Sequence, residues 1–165
     1  MSQTIELVDP RFTVDHMLIK LGKYLRILGY DAAWDSLLRT HELIRLANAE
    51  GRIFLTRNTR LPDQYPAPRQ VLVLATTDPV EQLAQVASRF ALDIEARLFT
   101  TCIRCNVPLD AVPDKREIEA RVHPNVYARF DQFYRCSRCG TVFWKGTHVR
   151  NTCRKLGLAL PDSDT

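Results

Sequence analysis

The chain has 165 residues, 45 % of them hydrophobic and 25 % charged, with a formal net charge of +4. That allows one domain, or one plus a small metal-held appendage, and excludes a long multidomain protein or a disordered chain. No apolar run approaches the ~20 residues needed to cross a bilayer, and residues 1–10 lack the basic and apolar regions of a signal peptide, so a cytoplasmic protein with no membrane partner is expected.

Arg11 to Val14 is a short β-prone run that ends at Asp15. A helical pattern follows, with Leu18, Leu21, Leu25 and Leu28 on one stripe and Gly29 as its stop. Asp31 to Trp34 reads as a second short strand. Thr40 is expected to cap a helix running to Glu50, with Leu43, Leu46 and Ala47 inward and Gly51 closing it. Ile53 to Thr56 reads as a buried strand, and the proline-broken stretch from Arg57 to Pro68 as a short helix or loop. Gln70 to Ala75 is the clearest strand, and Pro79 opens a helix to Phe90 that has Val80, Leu83, Ala84, Val86 and Ala87 to pack. This alternation predicts βαβ units: an α/β fold with a mostly parallel sheet flanked by helices. From about Leu98 the pattern changes to cysteine pairs and short β-prone pieces at Phe133 to Arg135 and Thr141 to Trp144, dividing the chain into domains 1–98 and 99–165.

All five cysteines lie after residue 100. In a reducing compartment they favour metal over disulfides. Cys102-Ile-Arg-Cys105 and Cys136-Ser-Arg-Cys139-Gly140 form two C-x-x-C knuckles with 30 residues between them. Two residues between thiolates let both sulfurs reach one ion, and two such turns supply a closed tetrahedral zinc site, structural rather than catalytic because no coordination position stays open. The gap exceeds the commonest spacing of about 15–20 residues, so an insertion between the knuckles is expected. Cys153 reads as an ordinary unpaired cysteine, and His148 as a surface or phosphate-contacting residue rather than a further ligand.

Charge is distributed unevenly. Residues 1–99 carry twelve Lys/Arg and twelve Asp/Glu, whereas residues 100–165 carry eleven against seven. Between Asp131 and Asp162 there is no acid, while Arg135, Arg138, Lys145, Arg150, Arg154 and Lys155 are all basic. Such a stripe suits a phosphate backbone, or is a solvated face. Phe133, Tyr134, Phe143 and Trp144 are interleaved with it, either to stack bases or to form the core of a very small domain.

In an open α/β sheet the ligand site lies outside the carboxyl ends of the strands. Asp15 follows the first strand, Asp31 sits at the second, Asp78 follows the Gln70 to Ala75 strand, and Glu42 lies in the first turn of the second helix. Acids converging there would make a Mg²⁺ or Mn²⁺ site able to activate water and stabilise a phosphoryl leaving group. The competing readings are local: the helix dipole favours Glu42, and turn chemistry accounts for Asp31 and Asp78.

The run Phe12-Thr-Val-Asp15-His-Met-Leu-Ile-Lys-Leu-Gly-Lys-Tyr-Leu-Arg26-Ile-Leu-Gly-Tyr-Asp31, followed by Glu50-Gly-Arg-Ile-Phe-Leu-Thr56-Arg57, resembles the Mut-seven C-terminal ribonuclease family. The second half resembles it too, in Cys102-x-x-Cys105-Asn106, Pro108-Leu109, Val126-Tyr127, Phe133-Tyr134-x-Cys136 and Cys139-Gly140-Thr-Val-Phe-Trp144-x-Gly146-Thr147-His148. The resemblance implies a PIN-like α/β nuclease domain with a zinc ribbon at its C-terminal end, and metal-dependent hydrolysis of RNA phosphodiester bonds. It implies Asp15, Asp31 and Glu42 as catalytic acids, with Asp15 and Glu42 on the catalytic Mg or Mn. Thr56-Arg57-Asn58 stands at the family's Thr-Arg-Asp element, so Asn58 replaces an expected carboxylate, and Asp78 is the candidate for a compensating charge. Lys20, Lys23 and Arg57 are expected to steady phosphate, and Arg138, Lys145, His148 and Arg150 to hold RNA on the ribbon. Because a neutral amide weakens a divalent-cation site, the alternative is a catalytically weakened or inactive RNA-binding protein of the same fold.

Overall fold

Short strands this apolar persist only where helices cover both faces of their sheet. In the computed structural model, which describes residues 9–64 and 66–157 and the backbone alone at 148 and 149, that is their arrangement. The signal-peptide expectation for residues 1–10 thus falls mostly outside the described residues. β1 (Phe12–Val14), β2 (Ala32–Ala33), β3 (Ile53–Thr56) and β4 (Val71–Val73) form an all-parallel sheet in the order β2-β1-β3-β4. The expected α/β fold with a parallel sheet is the observed one. The two central strands are fully buried, whereas β4, the clearest strand by composition, is a half-buried edge.

Connections leave β1 in opposite directions. α1 (Ile19–Ile27) carries the chain from β1 to β2, and α2 (Thr40–Glu50) carries it back across to β3. Right-handed crossovers running in opposite senses place these helices on opposite faces. Accordingly Leu21 and Leu25 of α1 and Leu28 at its C-cap join Phe12, Val14 and Leu55 in one core that also receives Leu83 and Val86 from α3 (Pro79–Phe90), while Leu43, Ile44 and Ala47 of α2 close over Phe54 and Leu61. Burying each such leucine contributes about 1.5–3 kcal/mol.

Local chemistry ends these helices as expected. Gly29 adopts φ 85°, and the amides of Gly29 and Tyr30 reach back to the carbonyls of Arg26 and Leu25 in a Schellman closure. Gly22 is fixed by packing: a Cβ there would stand 2.8 Å from the Trp34 ring. Three details differ from expectation. α2 is capped at Arg39, with Thr40 its first helical residue, because Glu42 accepts the Arg39 amide. Leu46 is 48 % exposed, since the buried stripe of α2 centres on Leu43, Ile44 and Ala47 and leaves Leu46 at its rim. Ala84 is also exposed, on the outer side of α3.

Beyond Leu98, β5 (Leu109–Ala111), β6 (Tyr134–Cys136) and β7 (Val142–Phe143) form an antiparallel sheet in that order. The long inter-knuckle segment holds a 3-10 helix at Lys115–Arg121 and α4 (Pro124–Arg129), anchored by fully buried Ile118. The C-terminal α5 (Thr147–Lys155) returns to the first half, where Cys153 and Leu156 pack in the core built on α1 and β1. No helix among the described residues is long and apolar enough to cross a membrane.

Candidate functional site

β1 and β3 are neighbours whose outgoing connections diverge, and open parallel sheets bind ligands beyond the carboxyl ends of the strands at such a point. Asp15 lies there, directly after Val14, and is 3 % exposed. Its backbone amide donates to Leu55, one carboxylate oxygen accepts the His16 amide at 2.9 Å, and the other accepts the Thr56 hydroxyl at 2.7 Å. Thr56, at the end of β3, is fully buried. These bonds hold the Asp15 carboxylate in one orientation and leave it further lone pairs.

Thr56 leads into the Arg57-Asn58 element. The Asn58 amide donates to the Thr56 hydroxyl, and the Asn58 side-chain oxygen accepts the Arg60 amide at 3.0 Å, an Asx turn that either an amide or a carboxylate supports. Arg57 Nε is buried without a hydrogen-bond partner among the described residues, an arrangement that costs stability unless a ligand supplies an acceptor.

The other acids separate. Glu42 starts α2 on this same edge, with one oxygen engaged by the Arg39 amide at 2.7 Å. Asp78 caps α3 by accepting the Val80 amide at 2.8 Å, and is exposed. Asp31 precedes β2, and since β2 runs parallel to β1 it stands on the opposite edge of the sheet, level with Arg11 rather than with Asp15. Four residue steps, about 13 Å, separate those levels.

At that far edge Asp31 ties the two halves together. Arg52 grips both of its oxygens, at 2.5 and 3.1 Å, and Asn106 donates to it at 2.6 Å while accepting the Ala32 amide. Desolvation raises the Asp31 carboxyl, but the Arg52 and Asn106 hydrogen bonds outweigh it and hold it below the ordinary carboxylate value. Arg26 completes the joint, donating to Ala32 and Ile103 with its guanidinium 3.5 Å from the Trp34 ring centre; burial brings it down to about 10, so it stays protonated at neutral pH. Sequence reasoning missed Thr56, Arg52 and Asn106 as partners of the two aspartates, although Arg52 and Asn106 both lie in the blocks that carry the resemblance.

The cysteines do converge. The sulfurs of Cys102, Cys105, Cys136 and Cys139 lie within 4.8 Å of one another, and Cys102 and Cys139 are 3.9 Å apart. A tetrahedron with metal–sulfur bonds of ~2.3 Å has edges of about 3.8 Å, so the donor set fits zinc. In the second knuckle the amides of Arg138 and Cys139 point at the Cys136 sulfur. Hydrogen bonds from Thr141 bring the Cys139 thiol down to about 6, whereas desolvation and then the neighbouring thiols push Cys105 up to about 12. A central divalent cation resolves that conflict, because metal-bound thiols are deprotonated. Among the described residues this quartet is the one group of three or more His, Cys, Asp or Glu donors within such reach.

Of the expected RNA contacts, Lys20 and Lys23 are exposed on α1, Arg57 is half-buried directly after Thr56, Arg138 is exposed in the second knuckle, Arg150 is exposed on α5 and Lys145 is half-buried. The His148 side chain lies outside the described residues. A family model described as the Mut7-C RNAse domain matches residues 10–156 of the chain. No curated protein and no solved structure matches it.

Proposed function

The chain belongs to the Mut7-C RNAse domain family, and from that premise we propose that it is a metal-dependent ribonuclease of PIN-like fold that hydrolyses RNA phosphodiester bonds at the carboxyl edge of the parallel sheet. The observation that carries this reading is buried Asp15 held against Thr56, with Arg57 and Asn58 following, at the carboxyl ends of the neighbouring strands β1 and β3.

The donors at this edge are compatible with a hard divalent cation. Mg²⁺ is commonly held by one or two carboxylates together with substrate phosphates, and Asp15 and Glu42 offer two. When bound, such a cation supplies Lewis acidity and an activated water. Asp15 needs no reorientation, being held by Thr56 and the His16 amide. Arg57, directly after Thr56, adds a fixed positive charge for phosphate, and Lys20 and Lys23 add charge along α1. Asp78 contributes negative charge at the same edge while capping α3. The cysteine quartet carries zinc as a structural element, and the basic face around it holds the RNA strand. Thiols of this kind stay reduced in the cytoplasm, where we place the protein.

A second reading, an RNA-binding protein with little or no turnover, is favoured by Asn58: its neutral amide adds no charge for a cation, and its oxygen is already engaged by Arg60. Incubating purified protein with single-stranded RNA and Mn²⁺ separates the two. Cleavage by the wild type that disappears in Asp15→Ala supports the nuclease. If neither wild type nor Asn58→Asp cleaves while both bind RNA with a steep salt dependence, the nuclease reading fails and the binding protein remains.

A further inference from the structure

A cavity of about 580 Å³ opens where the two halves meet. Its size falls within the usual ~300–1,000 Å³ of ligand sites. Ile27 and Phe99 wall it from the α/β half, Val126 and Phe130 from the inter-knuckle insertion, and Phe143 and Trp144 from the end of β7. The structure thereby divides the aromatics that the sequence left undecided. Phe133 is core, 2 % exposed and packed against Trp144 with ring centres 6.4 Å apart, whereas Phe143 and Trp144 are only half-buried and face the cavity.

The surroundings are electropositive. Arg129 is the charged residue among the described lining, which contains no carboxylate. α5 begins at the wall, through Gly146 and Thr147, with no side-chain cap, so the positive end of its dipole lies there. Exposed Arg150 follows one turn on, and the sequence from 132 to 161 has no acid. Flat apolar walls inside a cationic rim complement a polyanion that bears aromatic groups, since bases stack on aromatic side chains while phosphates seek the charges.

We infer that this cavity receives an unpaired nucleobase of single-stranded RNA, with the adjoining phosphates on Arg129, Lys145 and Arg150. The identity of the polymer rests on the ribonuclease reading; the site does not. The nine residues of α1 run about 13 Å from Ile19, just beyond Asp15, to Ile27 at the cavity wall. The base site is therefore separate from Asp15, about the length of α1 away.

Trp34 and Trp144 are the two tryptophans of the chain, so Trp34→Phe leaves Trp144 as the single reporter. Titrating that variant with a single-stranded oligoadenylate, without added Mg²⁺ or Mn²⁺, is expected to quench its emission. An abasic oligomer of equal length is expected to bind about tenfold more weakly and leave emission unchanged. Val126→Phe, which fills the cavity from partly exposed α4, is expected to bring oligoadenylate binding down to the abasic level without changing abasic binding. Equal affinity for the two oligomers with unquenched Trp144 overturns the base site and leaves the nuclease, read out by Mn²⁺-dependent cleavage, standing. Failure to bind either oligomer overturns the base site, and the nuclease is again read out by Mn²⁺-dependent cleavage. Quenching that follows protein concentration alone assigns the cavity to a second copy of the chain and overturns the base site.

Discussion

The ribbon and the sheet edge assemble polar groups by opposite routes. In the ribbon, two local turns deliver four sulfurs to one point, and in the second knuckle the backbone amides of Arg138 and Cys139 aim at the Cys136 sulfur. At the sheet edge, Asp15, Glu42, Asn58 and Asp78 come from separate segments, and each also serves its own surroundings, through a bond to Thr56, a helix-capping bond, an Asx turn and an N-cap respectively. A site built from repeated local turns fails as a unit when one ligand is lost. One built from tertiary neighbours degrades by steps, and the Asx turn at residue 58 forms with an amide as it would with a carboxylate.

The largest expected effect is on the ribbon. Structural zinc supplies folding energy, with apparent values of about 10–16 kcal/mol in small zinc domains. Cys136→Ser is therefore expected to abolish zinc binding and free the amides of β5 to β7 to exchange, while those of β1 and β3 stay protected. Metal analysis with hydrogen exchange checks this, and a ribbon still protected without zinc would break the contrast.

Asp15→Ala comes next. It leaves the Thr56 O–H without an acceptor in the core while its oxygen still accepts the Asn58 amide, with an expected loss of about 1–3 kcal/mol in denaturant unfolding, and lowers cleavage by at least about 100-fold, the upper range for groups that merely support metal ligands. A variant that loses stability but keeps its cleavage rate would move the chemistry elsewhere.

Asn58→Asp sharpens the stepwise side of the comparison. The Asx turn accepts either residue, so the fold is expected to be unchanged, while Mn²⁺ binding tightens about tenfold, equivalent to about 1.4 kcal/mol. Titration calorimetry reads it directly, and unchanged Mn²⁺ affinity would separate Asn58 from the Asp15 pocket.

The smallest effect is expected at Asp31. The carboxyl is partly exposed, so solvent screening holds the contribution of its ion pair to about 1 kcal/mol or less. Its native pKa is depressed, so the contribution is complete above the ordinary carboxyl range and is lost as pH falls through the lower native value. The melting temperature of Asp31→Asn is thus expected to lie below that of the wild type at pH 7, with the gap closing below about pH 4. RNA cleavage is expected to be unchanged, and a fall in cleavage would return Asp31 to the catalytic edge.

Much of this architecture is local in origin. The 3.6-residue stripe of Leu18, Leu21, Leu25 and Leu28, the glycine stop at 29, the Pro79 start of α3 and the two C-x-x-C knuckles each depend on residues a few positions apart, so the sequence alone determined those elements and the family resemblance. It did not determine which carboxylates meet. Asp15 and Asp31 both flank predicted strands, and only the parallel pairing of β1 with β2 sends them to opposite edges of the sheet. Nor did it settle the aromatics, because Phe133 and Trp144 have the same local signature, and only the docking of the insertion and α5 against Ile27 and Phe99 leaves one as core and the other as a cavity wall. Spacing along the chain sets what a segment becomes; the register between distant segments sets which side chains share a site.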